Sequence, residues 1–261
     1  MVKLMSIKII FPKEINFSEE TQQNNIYQAA RHGNLQAIRQ FLEQYEDVNQ
    51  QNSLGNTPLF YSIHTSQEAA ALLLIEMGAD VNVQNNRGDS PLHEAVFYDH
   101  ENMTRLLIEQ GANLERKDCM HLTPLGVAVE KGYENIAKLL IDADANVNVR
   151  MGSSDTSDTL LHRAVSKTSR KRNVKIVELL LSSGADVHAR SGLFGYTPLY
   201  YAKDYSDFDL PWLANSGLSW LFTLRKDEIV ELLTQYGASS SERMYGWAKP
   251  MHIISDILRA V

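Results

Sequence analysis

Three groups of side chains in this sequence are of types that could do chemistry. His93 and His162 could bind a metal ion or act as bases, Cys119 beside His121 could act as a nucleophile, and the carboxylates of residues 204–209 could pair for acid–base catalysis. The sequence contains no H-E-x-x-H zinc motif, no Walker phosphate loop and no G-x-S-x-G nucleophile motif. Whether any of these groups is functional therefore depends on the elements that position it.

A motif that returns every 33 residues organises most of the chain. A hydroxyl residue, a proline and a leucine occupy residues 57–59, 90–92 and 123–125, so that successive prolines are 33 residues apart. The motif returns after insertions at residues 159–161, with leucine in place of proline, and at residues 197–199. Such a fixed period indicates a repeat architecture, in which each unit buries its apolar side against its neighbours.

Each unit carries the signals of two short helices. The hydroxyl residue can cap the first helix, and proline fits its first position, where a missing N–H group has little cost. The second helix has apolar residues at positions i, i+3 and i+4, which form one buried stripe. A glycine follows most of these helices and suits a left-handed C-terminal residue, although Asp144 takes its place once. The stripes are Met103, Leu106 and Leu107; Ile136, Leu139 and Leu140; Ile176, Leu179 and Leu180; and Ile229, Leu232 and Leu233.

These motifs resemble the ankyrin repeat, whose units begin with Thr-Pro-Leu-His-x-Ala on a 33-residue period. The segment from Ser90 to Ala95 is the best match within the chain, and the resemblance runs from Asn25 to Ser239. It implies an all-α fold, an ankyrin-repeat solenoid of stacked helix-turn-helix units with short β-hairpin loops. His121 stands where Gly55 and other glycines mark the loop turn, so we expect a slightly distorted turn there.

The repeat boundaries divide the chain into an arm, an array and a closing segment. Terminal units of a solenoid are atypical because they must end the core. The predicted divisions are an N-terminal arm (1–24), an N-terminal capping repeat (25–49), repeats at 50–83, 84–116, 117–150, 151–190 and 191–239, the last with a long insertion at about 203–224, and a C-terminal capping segment (240–261).

The resemblance gives the histidines a structural role. His93 and His162 match the signature histidine, which in the family forms hydrogen bonds between neighbouring loops. They should lie about two repeats apart, which is too far to share one metal ion, because metal–ligand bonds are only about 2 Å long. Cys119 is expected at an exposed loop tip, which offers neither an oriented base nor protection from water. We therefore predict no enzymatic activity, no cofactor and no metal site.

The resemblance also indicates where a partner protein would bind. Ankyrin repeats usually bind through their loop tips and the inner face of their first helices. Several apolar residues at the matching positions would make this surface unusually apolar, unless the insertion at 203–224 packs against it. The matching residues chosen as partner contacts are Leu54, His64, Arg87, Phe97, Tyr98, Met120, Leu122, Lys131 and Tyr196.

Two insertions interrupt the period and add further candidates. The insertion at 203–224 contains Trp212 and Trp220, whose aromatic side chains either anchor a partner or cover the array. A basic cluster runs from Lys167 to Lys175. This cluster is either a solvated loop or a site for an acidic protein, a phosphate group or a nuclear import receptor.

Composition limits the classes of partner and compartment. The formal net charge is −7 and the pI about 5.6, so the chain lacks the basic footprint of a nucleic-acid-binding protein. It has one cysteine, no apolar stretch of the roughly 20 residues needed to span a membrane and no secretory signal core. We expect a cytoplasmic protein, or one secreted into a host cell without a classical signal peptide.

The predicted function is that of a non-enzymatic adaptor that binds another protein through its concave face and loop tips. We expect no nucleic-acid partner, no membrane span and a monomeric protein. Two alternatives remain open: an exported bacterial effector that uses the same binding surface, and an enzyme on an ankyrin scaffold with its active region in the insertion and the C-terminal segment.

Overall fold

A computed structural model of the chain describes residues 25–45, 47–152, 157–166, 174–191, 195–204 and 219–239. The described residues form helix pairs, each made of a first helix and the second helix that follows it along the chain. The first helices, called inner helices below, are α1 (Ile26–Arg31), α3 (Pro58–His64), α5 (Pro91–Phe97), α7 (Pro124–Lys131), α9 (Leu160–Val165) and α11 (Pro198–Asp204). The second, outer helices are α2 (Leu35–Tyr45), α4 (Glu68–Glu76), α6 (Glu101–Glu109), α8 (Glu134–Asp142), α10 (Val174–Ser182) and α12 (Ser219–Gln235).

The pairs stack side by side into one continuous core. Each inner helix packs against the next inner helix along the chain, from α1 to α11, and against its own outer helix. The apolar stripe of each outer helix behaves as its spacing predicts: in α8, Ile136 and Leu140 are fully buried and Leu139 is half-buried. Burial of a leucine or isoleucine side chain stabilises the fold by about 1.5–3 kcal/mol, so the stacking depends on these stripes.

Caps begin the inner helices. Ser90 Oγ accepts from the backbone N–H of His93 at 3.4 Å, and Thr123 Oγ1 accepts from that of Gly126 at 3.2 Å. The prolines occupy the first positions of α3, α5 and α7, where no intrahelical N–H bond is lost. The cap of α3 differs, because Thr57 Oγ1 is buried and has no hydrogen-bond partner among the described residues.

The expected distortion at His121 is absent. His121 adopts a left-handed φ of 60°, close to the 77° of Gly55. Its N–H donates to Asp118 O at 3.0 Å, as the N–H of Gly55 donates to Asn52 O at 2.8 Å. The turn therefore has the same geometry in both units. A side chain at this position makes the left-handed backbone conformation less favourable in energy but does not change the turn.

Three successive loop tips are each built by one acidic or amide side chain. Asn52, Asn85 and Asp118 each use Oδ1 to accept from two N–H groups further along the loop, those of residues two and four positions on. Strand pairing appears where the period is interrupted. Strands β1 (Arg150–Met151) and β2 (Asp158–Thr159) pair antiparallel, and Ser191 forms an isolated bridge with Tyr196.

Polar side chains join successive loops at the repeat spacing. Gln51 Nε2 donates to Gln84 O at 3.1 Å, Gln84 Nε2 donates to Lys117 O at 3.1 Å, and Lys117 Nζ donates to Arg150 O at 2.9 Å. Each bond spans 33 residues and links one unit to the next. These bonds, in addition to the packing of the core, hold successive loops in register.

Several predicted segments lie outside the described residues. They are the arm at 1–24, the basic residues from Lys167 to Asn173, most of the insertion with Trp212, the side chain of Trp220, and the closing segment at 240–261. Within the part of the chain that is described, no helix is both long and apolar enough to cross a bilayer.

Candidate protein-binding surface

The inner helices and loop tips present one continuous surface, called the inner face below. Residues at equivalent repeat positions align on it because successive inner helices pack in register. Arg31, His64 and Phe97 occupy one such position, near the end of α1, α3 and α5, and Tyr98 and Lys131 occupy the next. The repeat period therefore converts residues 33 apart into neighbours on one face.

A depression of about 340 Å³ opens on the inner face between the first three units. Its volume lies at the lower end of the range of roughly 300–1,000 Å³ for binding pockets. Four of the predicted contact residues meet there, because α1, α3, α5 and two loop tips converge on it. Its walls are Arg31, Leu54, Asn56, Phe60, Tyr61, His64, Asn85, Asn86, Arg87, Glu94 and Tyr98.

Aromatic rings form the border of this depression. Tyr98 contacts His64 edge-to-face at a centroid distance of 4.6 Å and contacts Phe97 in the same way at 5.1 Å. Phe97 is 47% exposed and Tyr98 is 41% exposed. The Lys131 ammonium lies 3.8 Å from the centroid of the Phe97 ring, a cation–π contact that holds the ring in place.

The charged groups of the inner face are mostly paired. His64 Nδ1 donates to Glu94 Oε1 at 3.0 Å, and Arg87 pairs with Asp89 at 2.8 Å. Arg31 has no ion-pair partner within the described part of the chain. Burial, and to a lesser degree the Glu94 carboxylate, raises the pKa of the Tyr98 hydroxyl, whereas the Arg87 guanidinium lowers it. The Tyr98 hydroxyl therefore lies within the electrostatic reach of both charges.

Two loop tips extend the apolar part of the surface. Leu54 is 61% exposed and Met120 is 67% exposed, which is unusual for large apolar side chains. Backbone hydrogen bonds connect these two tips through the tip that lies between them. The N–H of Asn86 donates to Leu54 O at 3.0 Å, and the N–H of Cys119 donates to Arg87 O at 2.8 Å. Rigidly held, exposed apolar tips are suited to contact with a partner.

The prediction for Leu122 is wrong. Its side chain is only 6% exposed and belongs to the core between the units, so it offers no contact surface. The turn that exposes Met120 directs Leu122 inward two residues later, and Leu122 O bonds to His93. Tyr196 is half-buried and stacks on Tyr200 at a centroid distance of 4.3 Å. Trp212 and the side chain of Trp220 lie outside the described residues.

Both signature histidines bridge neighbouring units, as the family resemblance implies. His93 Nδ1 lies 2.7 Å from Ser90 Oγ, and His93 Nε2 donates to Leu122 O at 3.0 Å in the next unit. His162 Nε2 donates likewise to Tyr196 O at 2.9 Å. Desolvation by burial is the main cause that lowers the pKa of both imidazoles, so both are neutral at pH 7. With both ring nitrogens engaged, neither histidine is available as a base or as a metal ligand.

Within the described residues, the other candidate chemical groups form no assembled site. Cys119 is exposed at a loop tip. No group of three or more histidine, cysteine or acidic side chains in the described ranges is arranged to hold a metal ion. The carboxylates of residues 205–209 fall outside those ranges.

The repeat pattern did not single out two features of the surface. Arg31 and Tyr61 line the depression, and their positions in the repeat could have revealed them, because Tyr61 is equivalent to Glu94 and Arg31 to His64. On the outer helices, Leu72 is 40% exposed. The equivalent positions of the next two units carry charged residues, Arg105 and Lys138. A comparison of exposed outer positions between units would have shown this departure.

Comparison with known proteins agrees with the geometry. An ankyrin repeat domain from Acinetobacter baumannii has a TM-score of 0.67 and 29% sequence identity, over 82% of this chain and 98% of that one. The ankyrin repeat domain of human ASB11 has a TM-score of 0.60 and 25% identity, over 84% of this chain and 86% of that one. No curated protein matches the chain.

The family model for ankyrin repeats, in three copies, matches residues 2–85, 74–151 and 121–191. Ankyrin repeats are generally protein–protein interaction modules, and the family is generally non-enzymatic. The helix pairs, the bridging histidines and this match over most of the sequence lead to one conclusion: the chain belongs to the ankyrin repeat family.

Proposed function

We propose that this protein is a non-enzymatic adaptor that binds a partner protein through its inner face. The observation that carries the proposal is the exposed aromatic pair Phe97 and Tyr98, which borders the depression between the first three units. Aromatic side chains dominate the energetics of protein interfaces, particularly when neighbouring groups hold them in one conformation. Lys131 and His64 hold these two rings.

The stacked scaffold supports this function for a second reason. Its loop tips are joined by hydrogen bonds that repeat every 33 residues, so the contact residues are held in position before a partner arrives. A preorganised surface loses little conformational entropy on binding, which leaves more of the contact energy as affinity.

Affinity capture with the full-length chain, followed by mass spectrometry, tests the proposal. We expect the double variant Phe97→Ala/Tyr98→Ala to lose the specific partner, with affinity at least tenfold weaker, because truncation at an aromatic hot spot commonly costs about 2 kcal/mol or more. Thermal denaturation must show that the variant remains folded, which we expect because both side chains are substantially exposed.

Leu72→Ala provides the matched control. Leu72 is exposed to a similar extent but lies on an outer helix, so its truncation should leave capture unchanged. A partner retained by the Phe97→Ala/Tyr98→Ala variant and lost by Leu72→Ala would overturn the proposal and assign binding to the outer side of the array.

We also propose a reducing compartment as the place of action, either the cytoplasm of the producing cell or that of a host cell. The exposed thiol of Cys119 supports this proposal, because an unpaired exposed cysteine is readily oxidised outside such compartments. Fractionation of cells that produce the tagged full-length chain distinguishes the two locations.

A further inference from the structure

The charges of this acidic protein are distributed unevenly between its two sides. The first five inner helices contain three cations (Arg31, Lys131 and Arg163) and two acids (Glu94 and Glu130). The first five outer helices carry eight acids against four cations: Glu43, Glu68, Glu76, Glu101, Glu109, Glu134, Asp142 and Glu178 against Arg39, Arg105, Lys138 and Lys175. The inner helices are therefore less acidic than the outer helices in a chain whose net charge is −7.

At the depression and its rim, each of the two acids already has a hydrogen-bond or ion-pair partner, and one cation has no ion-pair partner among the described residues. Glu94 is mostly buried and is bonded by His64, and Asp89, at the rim, is paired with Arg87. Arg31 is exposed and lacks an ion-pair partner among the residues that the structure describes. The Arg87–Asp89 pair leaves the guanidinium largely exposed, so Arg87 keeps donors for another acceptor.

Further hydrogen-bond donors surround these two guanidinium groups. The Tyr98 hydroxyl has no hydrogen-bond partner in the described part of the chain, and the Tyr61 hydroxyl accepts from Asn52 Nδ2 at 2.8 Å, which leaves its own proton free to donate. The lining therefore offers several donors, two of them guanidinium groups, whereas its one carboxylate already accepts from His64. Such a site favours a ligand that brings acceptors. A carboxylate is the protein group with the most acceptor sites and the opposite charge.

We propose that the partner segment that enters the depression is acidic and apolar: its carboxylate pairs with Arg31 and Arg87, and an adjacent apolar side chain packs against Tyr98 and Leu54. The inference rests on the proposed function and names the chemistry of the partner. A guanidinium group can bind a carboxylate through two parallel hydrogen bonds, which gives orientation as well as affinity. A basic segment is disfavoured because it would meet two guanidinium groups and a carboxylate that His64 already occupies.

Selection from a display library of random 12-residue peptides on the immobilised full-length chain tests this inference. We expect enriched peptides to carry Asp or Glu next to an aromatic or aliphatic residue. The affinity of one enriched peptide is then measured by fluorescence anisotropy. We expect it to fall by tenfold or more in the Arg31→Gln/Arg87→Gln variant, and to weaken as salt screens the charges.

Two matched controls isolate the charge effect. Arg105→Gln removes an exposed guanidinium from an outer helix and should leave peptide affinity unchanged. Replacement of the acidic residue of the peptide by its amide should reproduce the loss seen with Arg31→Gln/Arg87→Gln, and should cause little further loss in that variant.

The remaining outcomes separate the inference from the function on which it rests. Two outcomes would overturn the inference that the partner is acidic: enrichment of basic or neutral peptides, or an affinity that depends on Tyr98 but not on the two arginines. Either outcome would leave the proposal that the inner face binds a partner in place. A lack of any enrichment, or peptides indifferent to Phe97, Tyr98, Arg31 and Arg87 alike, overturns both.

Discussion

At the scale of single residues, the hydroxyl residue before an inner helix shows how a neighbouring residue determines whether a buried polar group is stabilising or destabilising. From α3 onward a hydroxyl residue precedes each inner helix, and the hydrogen bond that its side chain makes depends on the residue three positions on. Where that residue is His93, it shares a hydrogen bond with Ser90, and where it is Gly126, the Thr123 hydroxyl caps its N–H. Where it is Phe60, the ring has no hydrogen-bonding atom, and the Thr57 hydroxyl is buried without a partner among the described residues.

The same substitution should therefore have opposite effects in two units. We expect Thr57→Val to raise the free energy of unfolding by about 0.5–1 kcal/mol, because it replaces a buried, unsatisfied hydroxyl with a methyl group of similar size. Thr123→Val should lower it by about 1 kcal/mol, because the cap of α7 is lost. Urea denaturation of the two variants and the parent chain measures both effects, and equal destabilisation by both would contradict the explanation.

At the scale of the element, the ends of the outer helices show the cost of a side chain in a left-handed conformation. Asp144 has a φ of 67° where the equivalent Gly111 has a φ of 79°. The closing bonds are the same in both units: the N–H of Ala145 donates to Leu140 O at 3.0 Å, and that of Ala112 donates to Leu107 O at 2.9 Å. Only the backbone strain differs, because an aspartate tolerates this region less well than glycine does.

Exchange of the two residue types tests this reading of the helix ends. We expect Asp144→Gly to stabilise the chain by about 0.5–1 kcal/mol through relief of the strain. Gly111→Asp should destabilise it by about 1 kcal/mol, and by strain alone, because a Cβ atom at Gly111 would meet nothing within 4 Å. Thermal and urea denaturation measure both changes. A loss of stability in Asp144→Gly would show that the Asp144 carboxylate makes a favourable interaction that outweighs the strain.

At the scale of the whole molecule, the array is held together by contacts that pass from one unit to the next. His93 and His162 each donate from Nε2 to a carbonyl oxygen of the following unit while buried in the core. Their burial lowers the pKa below the usual value of 6.5, so the folded state favours the neutral imidazoles. Below that value the unfolded chain binds more protons than the folded chain, and stability must fall as the pH falls.

Cohesion between units should therefore depend on pH. We expect the free energy of unfolding of the full chain to decrease as the pH is lowered from 7.5 through 6.5 to 5. The His93→Gln/His162→Gln variant should be less stable than the parent at pH 7.5, because two inter-unit hydrogen bonds are weakened, but its stability should change less over the same pH interval. Urea denaturation at each pH measures both slopes, and parallel slopes would show that other groups control the acid response.

Much of the fold could be predicted because its determinants are local in the sequence. The Thr-Pro and Gly-Ala signals predicted where helices begin and end, and the i, i+3, i+4 stripes predicted which side of each outer helix is buried. His93 and His162 could be assigned to bridges between loops because their position in the unit, with the family resemblance, fixes what lies beside them. These properties follow from a 33-residue pattern that is visible without knowledge of any contact.

The binding surface was predicted less well, because it depends on how successive units superpose. Met120 and Leu122 are both apolar and two residues apart, yet the turn that Asp118 closes exposes the first and buries the second. Arg31 and Arg87 are far apart in the sequence and line one depression only because α1, α3 and the next loop tip converge there.

The sequence by itself thus determined the repeat, its helices and the family, since each is written within a single unit. Only the tertiary structure decided which side chains remain exposed, which charges are already paired and which groups meet in one depression. The physical reason is that burial and electrostatic pairing are properties of the packing between units, and the pattern of any one unit does not contain them.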